Sequence, residues 1–213
     1  RRSCPAQRSA VVHLSAVTLL TSHWTRHPWA PGERRLHWYL LPAPHVFGAA
    51  QRARSRLAGP GWDVVPDDWL HCTVASLRVG AADLAPPVLR RVVDRVSDAV
   101  DGLARPAATG EPDLSAEGLI WRLEPQAPFE AIWRAVTRSC AELLATPAPA
   151  TYLAHVTLAY PSAEVDGAPP LAALQGAGAG MPRCVFPELH LLDVRRDPGS
   201  YRWDPVASVA LGG

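Results

Sequence analysis

Two short stretches of this sequence resemble each other, and they restrict the fold more than any other feature. Each contains a His-x-Thr tripeptide inside an apolar run, one at residues 70–75 and the other at 154–159. Apolar runs of this kind are typical of buried strands. Side chains on a strand alternate between its two faces, so the imidazole and the hydroxyl of each tripeptide point the same way, roughly 7 Å apart. We therefore predict two strands that each present one histidine and one threonine on a common face.

The segments before the two tripeptides repeat as well. In each case a strand and then an amphipathic helix come first, and the first helix is predicted to run from Pro44 to about Ala58. The offsets between equivalent residues are 83 for Trp38 and Trp121, 82 for Phe47 and Phe129, and 84 for His71 and His155. The sequence thus predicts a strand–helix–strand unit that occurs twice, at about 36–77 and about 119–160.

Other predicted elements connect and follow the two units. Pro28, Pro31 and Gly32 exclude a long helix from residues 21–35, so we predict an arm or loop there. The remaining predictions are a strand at 62–65, a helix at 87–103, an irregular strand at 107–114, a loop at 161–167, a short helix at 170–175 and strands at 184–194 and 201–211.

The length and the apolar content indicate a folded domain. A chain of 213 residues, 48% of them hydrophobic, buries a core of normal size. We predict one bilobal domain at 21–213, with interleaved lobes, after a disordered leader at 1–20. No segment is long enough to span a membrane. The expected location is the cytoplasm.

Charge and cysteine content exclude several classes of function. A formal net charge of +1 argues against a protein that coats nucleic acids, although a single nucleotide or a nucleic-acid end needs only a local pocket. Four cysteines are scattered without any Cys-x-x-Cys spacing, which argues against a zinc site or a redox pair. Cys72 lies on the opposite strand face from His71, and we predict that it packs in the core.

Two facing histidines and two facing threonines suit in-line chemistry at a phosphate. With pKa values near 6.5, one imidazole takes a proton from an attacking water while the other gives a proton to the leaving oxygen. Threonine hydroxyls donate hydrogen bonds to the non-bridging oxygens, where negative charge accumulates. Neither tripeptide lies near a His-x-x-x-His pattern or a carboxylate cluster, so we expect no metal and no other cofactor.

These motifs resemble those of a known family. His71-Cys72-Thr73-Val74 and His155-Val156-Thr157-Leu158, together with the duplicated layout, are similar to the two-histidine (2H) phosphoesterase superfamily. Within it they resemble the 2'-5' RNA ligase (LigT-like) and RNA 2',3'-cyclic phosphodiesterase group. The likeness covers most of the chain, from about residue 36 to 211. The arm at 23–35 and the segment 194–203 also resemble the bacterial members.

The resemblance implies a fold, a reaction and a set of residue roles. The implied fold is α+β: two antiparallel sheets with outer helices around a central cleft that holds both motifs. The implied reaction opens a 2',3'-cyclic phosphate to a 2'-phosphate, with reversible 2'-5' RNA ligation as a further activity. By analogy, His71 donates the proton to the leaving oxygen, His155 activates water, and Thr73 and Thr157 hold the phosphate. The expected partner is a small nucleotide or an RNA terminus that bears a cyclic phosphate, bound by a monomer.

Substrate-binding residues are harder to choose. Some relatives carry a basic residue just after the second motif, whereas this chain has Ala159-Tyr160-Pro161. Tyr39, Tyr160 and Trp203 are candidates for stacking on a base, and Arg196 for steering a phosphate, although packing in a tryptophan-rich core or a solvated turn explains them too. His37 and His190 are expected in the core or at the surface, and His13, His23, His27 and His45 are given no role.

Two other functions remain open from the sequence. One is a nucleotide- or RNA-binding module without catalytic activity. The other is an enzyme that acts on non-RNA cyclic phosphates, such as ADP-ribose cyclic phosphate.

Overall fold

A computed structural model describes residues 19–57, 59–144 and 150–212. Its strands are β1 (Leu19–Leu20), β2 (Arg34–Leu40), β3 (Trp62–Val64), β4 (Cys72–Ser76), β5 (Ala107–Ser115), β6 (Gly118–Glu124), β7 (His155–Pro161), β8 (Val165–Asp166), β9 (Met181–Val185), β10 (Glu188–Asp197) and β11 (Ser200–Ala210). Its helices are α1 (His23–Arg26), α2 (Phe47–Arg54), α3 (Pro86–Val100), α4 (Ala127–Leu144) and α5 (Ala168–Gly176).

Two antiparallel sheets form the body of the protein. The first has the strand order β11-β10-β2-β4, and the second has the order β3-β7-β6-β5-β9. Each predicted unit contributes an antiparallel pair, β2 with β4 and β6 with β7. The predicted α+β class with antiparallel sheets and outer helices is therefore confirmed.

The chain exchanges strands between the two sheets. β3 follows α2 in the first unit, yet it pairs with β7 at the edge of the second sheet. The chain then returns to the first sheet for β4, and after β9 it returns again for β10 and β11. Alternating hydrophobicity marks a segment as a strand but does not name its partner, so the sequence gives no sign of this exchange.

β2 shows how one strand supplies both the core and the site. Leu36, Trp38 and Leu40 are fully buried in the main hydrophobic core. His37 and Tyr39 alternate with them and project from the opposite face. The strand's period of two therefore gives the molecule an apolar face for stability and a polar, aromatic face for function.

The two long helices pack against each other on the outside of the sheets. α3 buries Val92, Val96 and Val100, which recur every four residues along one face. α4 buries a similar stripe that includes Phe129 and Ile132, and it also contacts β4. None of the described helices is both long enough and apolar enough to cross a membrane.

Several predicted boundaries change. The segment 21–35, predicted as an arm or loop, contains the single turn α1 and the start of β2, because one turn fits before Pro28. The first helix is shorter than predicted: a 3₁₀ turn at Pro44–Val46 precedes α2, which ends at Arg54, and residue 58 lies outside the described residues.

Two further segments also differ from the prediction. The strand predicted at 184–194 is in fact two strands, since the Phe186-Pro187 step lies between β9 and β10 and carries the chain from one sheet to the other. Of the predicted leader, residues 1–18 lie outside the described part of the chain. Its last two residues form β1, which pairs with β8.

Candidate active site

A cavity of about 550 Å³ opens between β2 and β4 of the first sheet and β7 of the second. His71, Thr73, His155 and Thr157 all line it. The fold thus brings the two tripeptides, 84 positions apart in the sequence, to one small volume. This juxtaposition follows from the duplicated layout, since each tripeptide lies at the start of the last strand of its unit.

The two histidines are held in the same way. His71 Nδ1 lies 2.8 Å from the carbonyl oxygen of Trp69, and His155 Nδ1 lies 2.7 Å from that of Leu153. A carbonyl oxygen only accepts, so each Nδ1 carries the proton and donates it. In both rings Nε2 is therefore the nitrogen that gains or loses a proton, and it makes no hydrogen bond to any residue that the structure describes.

Desolvation lowers the pKa of both imidazoles below their ordinary value of about 6.5, so both rings are mainly neutral at pH 7 in the free protein. It lowers the pKa of His71 to about 4, although the hydrogen bond to Trp69 opposes this effect. It also lowers the pKa of His155, where the Leu153 carbonyl and the Glu117 carboxylate act in the opposite direction. Neutral Nε2 atoms are hydrogen-bond acceptors and bases.

A β-bulge follows each tripeptide at the same position. In the β2–β4 ladder Tyr39 pairs with Thr73 and Trp38 with Ala75, which leaves Val74 as the extra residue. In the β6–β7 ladder the shift falls between Thr157 and Ala159. A bulge reverses the alternation of faces beyond it. Ser76 and Tyr160, each three positions after a threonine, therefore line the same cavity as the threonines.

Aromatic rings fix the orientation of His71. The Tyr39 ring stacks on it with centroids 4.1 Å apart and planes 16° apart. The Trp203 ring meets it edge-on at 5.4 Å. Of these two predicted substrate-binding residues, Tyr39 lines the cavity and Trp203 does not. Tyr160, the third aromatic candidate, also lines the cavity.

Arg196, the fourth candidate for substrate binding, does not line the cavity. Its guanidinium lies over the Trp24 ring at 4.8 Å and donates to the Tyr201 hydroxyl at 3.0 Å. It also donates to the Trp24 carbonyl oxygen at 3.3 Å. Arg196 therefore holds the α1 arm against β11, and Tyr201 is the member of this group that lines the cavity.

Two arginines that sequence reasoning passed over do line the cavity. Arg35 lies at the start of β2, pairs with Glu33 at 2.6 Å, and stacks on Trp29 at 4.4 Å. Arg78 follows β4 and has a left-handed backbone with φ 57°. Both bring positive charge to the cavity that the second motif lacks. No short motif marks them, because Arg35 is the second residue of β2 and Arg78 lies two residues after β4, outside both tripeptides.

His37 was expected in the core or at the surface, and it lines the cavity as well. Its Nε2 lies 3.2 Å from the Ser76 hydroxyl. Burial, with smaller contributions from the charges of His71 and Arg35, lowers the pKa of His37 to about 3. The sequence did contain a signal for this position, since His37 and Tyr39 alternate with three apolar residues of β2.

A further cluster of cavity residues comes from the arm. His23 and His27 lie one helical turn apart at α1, and Glu117 lies in the turn between β5 and β6. Burial alone would raise the pKa of Glu117, but His23, His27 and Arg26 lower it to about 2. His23 and His27 form a His-x-x-x-His pattern, far in sequence from either tripeptide, and the fold brings it to the same cavity.

Known proteins are similar to this one in structure rather than in sequence. No protein-family model matches the chain, and no curated protein does so either. Among solved structures, E. coli LigT superposes with a TM-score of 0.59 and 15% identity, over 84% of this chain and 98% of that one. TT0787 of Thermus thermophilus superposes with a TM-score of 0.62 and 17% identity, over 84% of this chain and 98% of that one. A structure described as a phosphoesterase superposes with a TM-score of 0.60 and 16% identity, over 85% of this chain and 100% of that one.

LigT itself has been solved in complex with phosphate, 3'-AMP, ATP and NADP+. At these identities the likeness is one of fold. The shared architecture covers nearly the whole length of each of these structures. This protein has the fold of the LigT-like two-histidine phosphoesterases.

Proposed function

We propose that this protein is a phosphodiesterase that opens 2',3'-cyclic phosphates to 2'-phosphates with two histidines and no metal in the reaction. The observation that carries the proposal is the matched pair His71 and His155. Both donate Nδ1–H to a carbonyl two residues earlier and leave Nε2 free at one cavity. A pair of imidazoles that differ only in which one holds the proton is what acid–base catalysis at a phosphate requires.

The proposed step is an in-line attack of water on the cyclic phosphate. One imidazole removes a proton from the water as the new P–O bond forms, and the other donates a proton to O3' as the P–O3' bond breaks. The product carries a 2'-phosphate and a free 3'-hydroxyl. Following the resemblance, we assign His155 as the base and His71 as the acid. Each proton transfer contributes about 10²–10⁴-fold to the rate.

The cavity wall suits the charge of this substrate. Thr73 and Thr157 line the cavity with the histidines, and in the proposed reaction their hydroxyls donate to the non-bridging oxygens, while Arg35 and Arg78 add positive charge. A bound anion also raises the pKa of a neighbouring imidazole. The substrate therefore helps His71 to acquire the proton that it donates, although burial keeps this ring neutral in the free protein.

The complexes of LigT support a nucleotide as ligand. That protein binds phosphate and 3'-AMP in crystals, and its fold is the one found here. A cavity of about 550 Å³ holds a molecule of that size. We extend the proposal to RNA ends with a cyclic phosphate and to the reverse 2'-5' ligation.

The test is hydrolysis of nucleoside 2',3'-cyclic phosphates, with and without EDTA, by the wild type and by His71→Ala and His155→Ala. We expect turnover in EDTA, a 2'-phosphate product seen by phosphorus NMR, and a loss of at least about 10²-fold in each variant. His45→Ala is the matched control, because His45 is exposed and does not line the cavity. Circular dichroism establishes that each variant is folded.

The alternatives give different results. Saturable nucleotide binding without turnover in the wild type indicates a binding module and contradicts the proposal, as does unchanged turnover in both histidine variants. A panel that includes ADP-ribose cyclic phosphate, an RNA oligonucleotide with a cyclic phosphate end, and a 5'-hydroxyl acceptor compares hydrolysis with ligation. A much higher kcat/KM for the ADP-ribose compound would replace the RNA assignment.

A further inference from the structure

We propose that His23, His27 and Glu117 form a binding site for a first-row divalent transition metal of the zinc class, in the wall of the same cavity. The proposal concerns the arm and the β5–β6 turn, and it is separate from the reaction assigned to His71 and His155. Two imidazoles and one carboxylate are a donor set that zinc takes in proteins.

Two segments of the chain bring the three ligand atoms together. The four-residue spacing of His23 and His27 puts both imidazoles on one side of α1. Glu117 reaches the same point from the turn between β5 and β6. One nitrogen or oxygen from each side chain lies within 4.8 Å of the others.

The two separations between a histidine nitrogen and a Glu117 oxygen are those of atoms that share a metal ion. His23 Nδ1 lies 2.9 Å from Glu117 Oε2, and His27 Nε2 lies 3.4 Å from Glu117 Oε1. Two ligand atoms that are each about 2.05 Å from one zinc ion lie about 2.9 Å apart at a right angle and about 3.3 Å apart at the tetrahedral angle. Both observed distances are close to this range.

His23 provides a second and independent indication. Only 4% of the residue is exposed, yet Nδ1 has no hydrogen-bond partner among the described residues. Glu117 Oε2 lies 2.9 Å from this nitrogen, close enough for an ion pair with a protonated ring, but outside hydrogen-bond geometry. A lone pair on Nδ1 that faces a carboxylate is repelled by it, and a cation between the two removes the repulsion.

The outer contacts of His23 are those of a metal ligand. Its Nε2 lies 2.7 Å from the Tyr201 hydroxyl, whose oxygen accepts from Arg196. An Nε2–H that donates to Tyr201 leaves the lone pair on Nδ1, and metal-bound histidines usually donate their other N–H in this way. The Tyr160 ring packs against the His23 ring, with centroids 4.3 Å apart and planes 33° apart.

Two neighbouring arginines oppose metal binding, Arg196 beside His23 and Arg26 beside Glu117. Arg26 Nη2 lies 4.0 Å from Glu117 Oε2, although its hydrogen bond goes to the Ala116 carbonyl. Its charge weakens a cation site without blocking a ligand atom. All three ligands line the cavity, so water or an anionic oxygen within it would complete the shell.

The test is the binding of Zn²⁺ and Co²⁺ to the chelator-stripped protein. We expect one Zn²⁺ per chain by calorimetry, a visible d–d absorption band with Co²⁺, and a higher melting temperature with Zn²⁺. His27→Ala and Glu117→Gln should weaken binding by about 100-fold or more, and Tyr201→Phe by about 10-fold. The matched controls are His45→Ala and Glu111→Gln, which change an exposed histidine and an exposed glutamate outside the cavity and should bind as the wild type does.

The outcome is separate from that of the proposed reaction. No saturable binding of either metal, or binding that His27→Ala and Glu117→Gln leave unchanged, overturns the metal site whatever the hydrolysis assay shows. Circular dichroism of the variants distinguishes loss of a ligand from loss of the fold. Hydrolysis that continues in EDTA while the Co²⁺ band disappears supports both proposals.

Discussion

At the scale of single residues, the site is a pair of equivalent histidines. Each imidazole is oriented by a backbone carbonyl, so the chain itself, rather than an acidic partner, selects the tautomer. This differs from a triad in which a carboxylate holds the base. Desolvation lowers the pKa values of His71 and His155, and it outweighs the backbone carbonyls, which raise the pKa of both rings.

The lowered pKa values predict an acid-shifted pH profile. The proposed reaction needs one protonated and one neutral imidazole in the free protein, and burial lowers the pKa of His71 to about 4 and also that of His155. A ring with a lowered pKa holds its proton only at lower pH, so kcat/KM should follow a bell with its maximum below about pH 6.5. The measurement is kcat/KM from pH 4 to 9. A profile that is flat from pH 5 to 8 contradicts paired acid–base catalysis.

The order of the two roles is a second prediction at this scale. A 4-nitrophenolate leaving group departs without a proton, so a variant that lacks only the acid retains activity on a nucleoside 4-nitrophenyl phosphodiester. If His71 is the acid, His71→Ala should lose about 10²-fold or more on the cyclic phosphate and much less on the activated ester. His155→Ala should lose activity on both. The reverse pattern would exchange the two assignments.

Some cavity residues could not be predicted from the sequence. Each tripeptide was found because its composition, spacing and upstream context repeat. His23 and Glu117 have no such repeat, and they lie 94 positions apart. Only the packing of the arm beside the β5–β6 turn brings them to the cavity. That packing depends on long-range contacts such as the 2.7 Å hydrogen bond from Trp24 Nε1 to Asp63 Oδ2.

At the scale of strands and helices, periodicity predicted most of the elements and few of their partners. The 3.6-residue stripes of α3 and α4 and the alternation in β2 could be read directly. The pairing of β3 with β7 and the bulges in β4 and β7 could not be predicted from the sequence. Strand pairing depends on which sheet edges remain free once the helices have packed. Those bulges decide that Ser76 and Tyr160 face the cavity.

The second bulge depends on a glycine. Gly118 begins β6 with φ 143°, and a Cβ there would collide with the carbonyl oxygen of Ala159 in β7. Gly118→Ala should therefore lower the free energy of unfolding by about 3 kcal/mol or more, through backbone strain and displacement of β7. Chemical denaturation measures this loss.

Gly102→Ala is the matched control for this prediction. Gly102 also has a positive φ, of 74°, but an added Cβ there meets nothing within 4 Å. Only the backbone cost of about 1–2 kcal/mol should appear. Equal losses in the two variants would mean that the contact with Ala159 has no effect.

At the scale of the whole molecule, buried histidines make stability depend on pH. Burial lowers the pKa of His37 to about 3 and that of His71 to about 4, whereas in the unfolded chain both lie near 6.5. Between these values the unfolded state binds more protons than the folded state. The contribution of these histidines to the free energy of unfolding is therefore fully present above about pH 6.5 and is lost as the pH falls toward 4.

His37→Gln tests this dependence. Removing one such group should reduce the slope of unfolding free energy against pH by up to about 1.4 kcal/mol per pH unit between pH 6 and 4. The measurement is urea denaturation at several pH values, with His45→Ala as the control for an exposed histidine. An unchanged slope in His37→Gln would show that the His37 ring is accessible to protons in the folded state.

The exchange of strands has a consequence for selectivity. In the described part of the chain, the backbone passes between the two sheets before β3, before β4, before β5 and before β10. Moving the sheets apart would break the β3–β7 ladder, and the chain that leaves this ladder leads directly to His71. The separation between the two imidazoles is therefore held by backbone hydrogen bonds between strands. We expect the proposed reaction to discriminate among substrates by the geometry of the phosphate ester more than by the groups attached to it.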